Sequence, residues 1–440
     1  MILKFSDKFG SAPSKTSYQR IVLVSTEKHL DTLSPDDADV LVVTTELSVS
    51  WAWRNLGGEA VLTDAFLEDW TSDQYGAAGS VFIDAASWVY LDETDASQFA
   101  GVSLGRQFDS QIATADYMFR RIHAALDAIC QTFTPKYIEL RGVRAYCDML
   151  DITNIEVLVQ DICTKNNVAF SRHNTETLRS DSLHQDFAVF AGSSTMQIRP
   201  IYRLRDVFVG CVELICKLRF VFCRNKRSVF FLLSDLASEG IILSKSPRSF
   251  SPVFIGQATR KTPKYIFQCL MNGSALVSMP QEKINPSDIH DVRKIIARYR
   301  DAWNRLPPLT AREQARRHFV ETYLFQSERL HAMAGFVRRT RKLFNRIKLA
   351  RVVVSDVRPA RSRVVAEIAI IVGIPIEELL NGIFVTPVRD GARCGDRGQT
   401  PLVDRNLAWS EYLGRAYPNK ALAHLSVAAE YPAVDVLIPR

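Results

Sequence analysis

Apolar positions near the start of the chain fall in short unbroken runs. Ile21-Val22-Leu23-Val24 follows Arg20, and Val40-Leu41-Val42-Val43 follows Asp39, each bounded by polar residues. Runs this short, rich in β-branched side chains, read as strands of a parallel sheet covered on both faces. The spacing turns helical over Asp64–Trp70 and over Tyr117–Cys130, where Tyr117, Ile122, Ala125, Leu126 and Ile129 fall on one side. Tyr137–Leu140 and Ile155–Val159 return to the strand pattern. Alternation of this kind predicts an α/β domain over residues 1–175.

From Arg172 to Pro200 the sequence is polar and rich in Ser, Thr, His and Asn, which marks a boundary. The next stretch, Tyr202 to Arg227, interleaves Leu204, Phe208, Cys211, Ile215 and Leu218 with Arg203, Arg205, Lys217, Arg219, Arg224 and Lys226. Two readings stand side by side. A basic amphipathic helix can lie on an anionic membrane surface, or it can pack between domains with its basic end in water. Residues 176–227 are therefore a linker plus a basic helix.

A second α/β portion opens at Ser228–Ser234. Pro247, Pro252 and Pro263 mark a loop-rich stretch, and Lys264–Leu270 offers another strand. Helices are expected from Ser287 to Trp303, from about Thr310 to Ala332, and from about Ala334 to Ile347. Arg351–Asp356 then reads as a buried strand ending in an acid. A turn holding Pro359, a helix over Val364–Val372 and a capping Gly373 follow. Ligands of open parallel sheets sit beyond the carboxyl ends of strands, which directs Ser355, Asp356 and Arg358 to a crevice. The amino terminus of the next helix favours an anion such as a diphosphate. Asp356 as a turn or cap residue, and Arg358, Arg361 and Arg363 as an exposed basic turn, are the structural alternatives.

Composition narrows the class. A chain of 440 residues exceeds one ordinary core, and 47% hydrophobic with 23% charged residues is a globular mixture rather than a disordered or fibrous one. The net charge of +7 is uneven: residues 1–100 carry 16 acidic and 6 basic side chains, residues 291–363 carry 6 and 19. That basic segment could meet phosphates, but no recognised nucleic-acid module accompanies it, so nucleic acid ranks below an anionic lipid surface. The eight cysteines show no zinc or redox spacing, and no two histidines flank a Glu at metalloprotease spacing. No phosphate-loop or nucleophile-elbow motif is present. No window holds 18 uncharged apolar residues and the first residues lack an export leader, so the expected location is the cytoplasm.

Asp356, Gly373-Ile374-Pro375, Asn381-Gly382, Trp409-Ser410-Glu411 and Tyr431–Asp435 together resemble a pattern found in bacterial surface-polysaccharide and teichoic-acid transferases, which are similar to glycerophosphotransferases. The resemblance covers about residues 228–440. Asn381 stands where those proteins have His, and Ser410 where they have Gly. It implies two Rossmann-like parallel-sheet domains of the B-type glycosyltransferase kind, with a Rossmann-like domain over 228–400 and only the start of a further one over 401–440. It also implies a nucleotide-linked sugar or polyol donor, a glycan acceptor, and no cofactor or metal. Asp356 or Glu411 would be base or orienting group, with Ser355, Arg358, Asn381 and Gly382 at the donor. The protein would work at the inner face of the membrane. The alternative is a non-catalytic glycan- or partner-binding protein, or an inactive fragment of a longer transferase.

Overall fold

The two apolar runs at the start of the chain do pair. In the computed structural model, β1 (Arg20–Leu23) lies between β2 (Val40–Thr44) and β8 (Tyr137–Leu140), all parallel, with Ile21 in register with both Leu41 and Ile138. β3 (Ala60–Leu62) and β9 (Ala169–Arg172) complete a five-stranded parallel sheet of order β3-β2-β1-β8-β9. Residues 16–67, 90–91, 94–141, 152–173, 227–232, 250–256, 275–278, 286–305, 310–354, 360–379, 405–408 and 427–428 are described, with single positions 13, 211, 214, 215, 218, 271 and 284. The chain divides into two units, one of Met1–Trp88, Gln111–Phe187 and Ile296–Arg329, the other of Val89–Ser110, Ala188–Ile295 and Leu330–Arg440. Each is an α/β assembly built on a parallel sheet.

In the first unit, α1 (Leu47–Asn55) links β2 to β3, and its Trp53 is buried with Val22, Val42 and Ala60. α2 (Asp109–Phe133), whose first two residues belong to the second unit, leads into β8, with Ile112, Phe119, Ile122, Leu126 and Ile129 buried along one face. Ile155–Val159 is helical, against the strand expectation. It belongs to α3 (Ile152–Asn166), where Ile155, Leu158, Val159 and Ile162 are all buried at helical spacing. The run of apolar residues concealed that period, and the strand comes later, at β9. Asp64–Trp70 yields one 3-10 turn over Thr63–Phe66, residues 68–70 lying outside the described residues.

Three pieces from the second half of the chain belong to this unit: the end of α4 (Pro286–Asn304), α5 (Ala311–Phe319) and a π-helical turn over Val320–Gln326. α5 starts on a capping box, in which the Thr310 hydroxyl accepts from the Glu313 amide while the Glu313 carboxylate accepts from the Thr310 amide. It packs against α3, and Phe319 meets Phe119 edge to face. The long helix expected over Thr310–Ala332 breaks earlier, at Ser327 and Glu328, where Glu328 has φ of 59°. α6 (Arg329–Arg346) begins there rather than at Ala334.

The second unit carries two small antiparallel hairpins, β4 (Tyr90–Leu91) with β5 (Thr94–Asp95), and β6 (Gln98–Phe99) with β7 (Val102–Ser103). Ala100 and Gly101 join the latter with φ of 52° and 85°, the left-handed pair that a two-residue hairpin turn needs. Its main sheet is parallel: β10 (Arg227–Leu232), β11 (Phe250–Gly256), β12 (Ala275–Ser278), β13 (Leu349–Val354), β14 (Ile376–Leu379), β15 (Arg405–Ala408) and β16 (Val427–Ala428), ordered β12-β11-β10-β13-β14-β15-β16. Val229, Phe230 and Phe231 with Val352, Val353 and Val354 form the buried centre. Arg227 opens β10 and so is not the end of the basic helix. Pro252 sits inside β11, in a stretch expected to be loop. The β12 ladder begins one residue later, at Val253, so the proline needs no amide on that side. β15 and β16, within the segment expected to open a further domain, instead extend this same sheet. The Lys264–Leu270 strand falls outside the described residues.

Candidate functional site

In both sheets the chain lays down three strands in one direction from the first, then returns to its other side. The change of direction falls between β1 and β8 in the first sheet and between β10 and β13 in the second. At such a switch point the connections leaving the two neighbouring strands run to opposite sides, and a crevice opens beyond the carboxyl ends. Each unit therefore has one place where its own fold favours a ligand.

In the first unit this edge is lined by Ser25 after β1, Arg141 after β8 and His173 after β9. Backbone continuity fixes them: the Arg141 amide donates to the Leu23 carbonyl at 2.9 Å and the His173 amide to Leu140 at 3.0 Å. Arg141 is buried, and its guanidinium donates to Glu139 at 2.6 Å, to the His29 carbonyl at 3.0 Å and to the Thr32 hydroxyl. It thus ties the segment after β1 to β8. Burial alone would raise the Glu139 carboxyl, but hydrogen bonds from Arg20 and Arg141 outweigh it and hold the group below its ordinary range. His173 stands 3.8 Å from the same carboxylate.

His29 is the group at this edge with free chemistry. It is half-buried, 3.4 Å from the Ser25 hydroxyl, and lowered in pKa by burial, then by the Arg141 and His173 charges. The imidazole is therefore held neutral near pH 7, able to accept a proton from a hydroxyl. His29 and His173 carry no recognisable spacing in the sequence, since only the fold brings their strands together.

In the second unit β13 ends at Val354, so Ser355 is the next residue of the chain after the strand at the switch point. Ser355, Asp356, Arg358, Asn381, Gly382 and Glu411 themselves all lie outside the described residues. What is described is the helix that follows, α7 (Ala360–Ile371), and its anchorage. Gly373 with φ of 70° closes it as a Schellman motif: the Ile374 amide donates to Ala369 and the Gly373 amide to Ile370.

Arg363, expected as part of an exposed basic turn, is buried. It pairs with Asp109 at 3.1 Å and lies 3.7 Å from Glu367. Glu367 in turn accepts from the Gln107 amide at 2.9 Å and from the Ser103 backbone amide at 3.1 Å. Arg363 and Glu367 thereby seat the first turns of α7, which follows Asp356 and Arg358 in sequence.

Among the described residues no group of three or more His, Cys, Asp and Glu is placed to hold a metal ion, and no helix is long and apolar enough to cross a membrane. Comparison with models of known protein families finds no match, and comparison with curated proteins finds none either.

Proposed function

We propose that the chain is a glycosyltransferase-like protein of bacterial surface-polysaccharide biosynthesis that moves a sugar or polyol phosphate from a nucleotide-linked donor to a glycan acceptor. The observation that supports this reading is the shared topology of the two units, two parallel sheets whose strand order reverses beside the first strand, where a ligand crevice is expected. One crevice suits a donor and the other an acceptor. In the second unit, Ser355 and Arg358 stand in sequence between β13 and α7, where a helix amino terminus and a guanidinium would offset diphosphate charge. Asn381 and Gly382 would complete the donor side, with Asp356 or Glu411 as base or orienting group. In the first unit the neutral His29 is the acceptor-side base.

Cys211, Leu214, Ile215 and Leu218, at helical spacing and all exposed, support a seat on an anionic membrane, with the apolar stripe in the interface and the neighbouring basic side chains at the headgroups. Titration calorimetry with nucleotide-linked sugars and polyols tests the donor reading. Binding of one donor with micromolar affinity, lost in Arg358→Ala, is expected. Absence of heat with every common donor refutes it.

A further inference from the structure

The end of α4, α5 and the π-helical turn border an open cleft of about 430 Å³ in the first unit, lined by residues other than those at the carboxyl edge of its sheet. That volume lies within the roughly 300–1,000 Å³ typical of ligand pockets. Arg300 forks onto Glu321, with one bond at 3.1 Å, so this pair contributes no net charge. Arg317 differs. Its guanidinium lies over the Trp303 ring at 5.6 Å and donates to the Trp303 carbonyl at 3.2 Å, and among the described residues no carboxylate pairs with it.

The cleft therefore holds a half-buried cation that is positioned but has no carboxylate bonded to it, Glu313 acting on it only at longer range. Around it stand the amide side chains of Asn304 and Gln314, the His318 ring and the Glu321 carboxylate. Planar amides donate to and accept from neighbouring hydroxyls and a carboxylate accepts from them, while a guanidinium selects a carboxylate or phosphate. One wall, Val320–Gln326, is a π-helix, a form retained mostly where a site needs it.

We propose that this cleft binds an acidic sugar unit, a ring or polyol rich in hydroxyls that carries one carboxylate or phosphate beside Arg317. Its identity as a glycan segment rests on the transferase reading, whereas its anionic and hydroxylated character rests on the cleft alone. A nucleic-acid base is disfavoured, because Trp303 is already stacked on Phe325 at 18° and contacted by Arg317, leaving little ring surface for stacking.

The test is titration of the full chain, without nucleotide, with a glucuronate-containing tetrasaccharide, glucose 6-phosphate, inorganic phosphate, maltotetraose and a short RNA. The acidic tetrasaccharide or the sugar phosphate should bind at least tenfold more tightly than maltotetraose or inorganic phosphate. Which of the two wins tells carboxylate from phosphate. Arg317→Gln should remove that preference, and Arg317→Lys should restore part of it. Asn304→Ala, an exposed change that leaves Arg317 in place, should weaken the acidic sugar at least threefold without changing inorganic phosphate binding. Equal binding of inorganic phosphate would mean an adventitious ion only and overturn the proposal. So would equal binding of maltotetraose, tighter binding of RNA, or no binding of either acidic sugar. Because no nucleotide donor is present, failure of the donor titration leaves this result standing on its own.

Discussion

Arg363, in the first turns of α7, reaches 3.1 Å from the carboxylate of Asp109, the residue that opens α2, and both side chains are less than a tenth exposed. The pair joins the segment after β7 to the helix that follows β13. Its chemistry is costly, since burying charge is unfavourable unless partners and hydrogen bonds compensate. Here Arg363 faces two carboxylates, Asp109 and Glu367, and Gln107 and the Ser103 amide supply the remaining donors.

Removing the cation should therefore be severe. Arg363→Met leaves two buried carboxylates facing each other without a countercharge, and the expected loss is about 3–5 kcal/mol of unfolding free energy. Adding Asp109→Asn to that variant removes one of the uncompensated charges and should recover part of the loss. Urea unfolding of the single and double variants measures both. Additive losses would show that the two residues do not act through each other.

The same cluster sets a pH dependence. Burial pushes the Asp109 carboxyl up to about 6 from its ordinary 3.8, with Glu367 adding to the rise and Arg363 and Arg106 opposing it. Between those values the folded chain binds more protons at this site than the unfolded chain, so its contribution to stability grows as pH falls from 7 to 4. Thermal unfolding of Asp109→Asn against the parent should move in the parent's favour over that range. A constant difference would mean that Asp109 does not titrate there. His29 acts in the opposite sense. Its pKa is lowered, so its contribution is present above the ordinary imidazole value and lost as pH falls below it.

The strands at the centre of each sheet were legible because Val22, Val42, Phe230 and Val353 sit in runs buried on both faces, which leaves the two-sided apolar signature intact. α3 was not, since Ile155-Glu156-Val157-Leu158-Val159 carries β-branched residues in the order a strand would, and only its packing resolves the period. β11 was hidden by Pro252, whose missing amide matters little ahead of the β12 ladder. The anchoring of Arg363 was illegible for a different reason. Asp109 and Glu367 are remote in sequence, and an arginine in a basic stretch gives no sign of being buried. His29 and Arg141 meet for the same reason that β1 and β8 do, through topology rather than spacing.

Close packing at one glycine offers a clean check on the first unit. A Cβ built on Gly58 would overlap the indole of Trp53, which is buried in the core beside β1 and β2. Gly58→Ala must displace that ring or shift α1, an overpacking cost of about 1–3 kcal/mol. Gly57→Ala, at the preceding residue, meets no atom and carries only the strain of its φ of 92°. Trp fluorescence during denaturation distinguishes the two, because only the Gly58 variant should alter the native emission of Trp53.

The cysteines allow the exposed helical stripe to be tested directly. Burial pushes the Cys130 thiol up to about 12 and the Cys163 thiol up to about 11, whereas Cys211 is exposed at the start of the stripe. Thiolates are the reactive species, so an alkylating agent at pH 7.5 should modify Cys211 in minutes and leave Cys130 and Cys163 intact until the chain unfolds. With Cys147, Cys216, Cys223, Cys269 and Cys394, which lie outside the described residues, replaced by Ser, a polarity-sensitive dye attached at Cys211 then reports on its surroundings. If Leu214, Ile215 and Leu218 seat in a bilayer, anionic liposomes should shift the dye emission to the blue, neutral liposomes should do so less, and Leu214→Asp with Leu218→Asp should abolish the shift. Raised salt should weaken it as well, since any attraction of the segment's basic residues to anionic lipid acts through a screened surface potential. An emission spectrum unchanged by anionic liposomes would remove the membrane from the account of this helix and leave its apolar face to a protein partner.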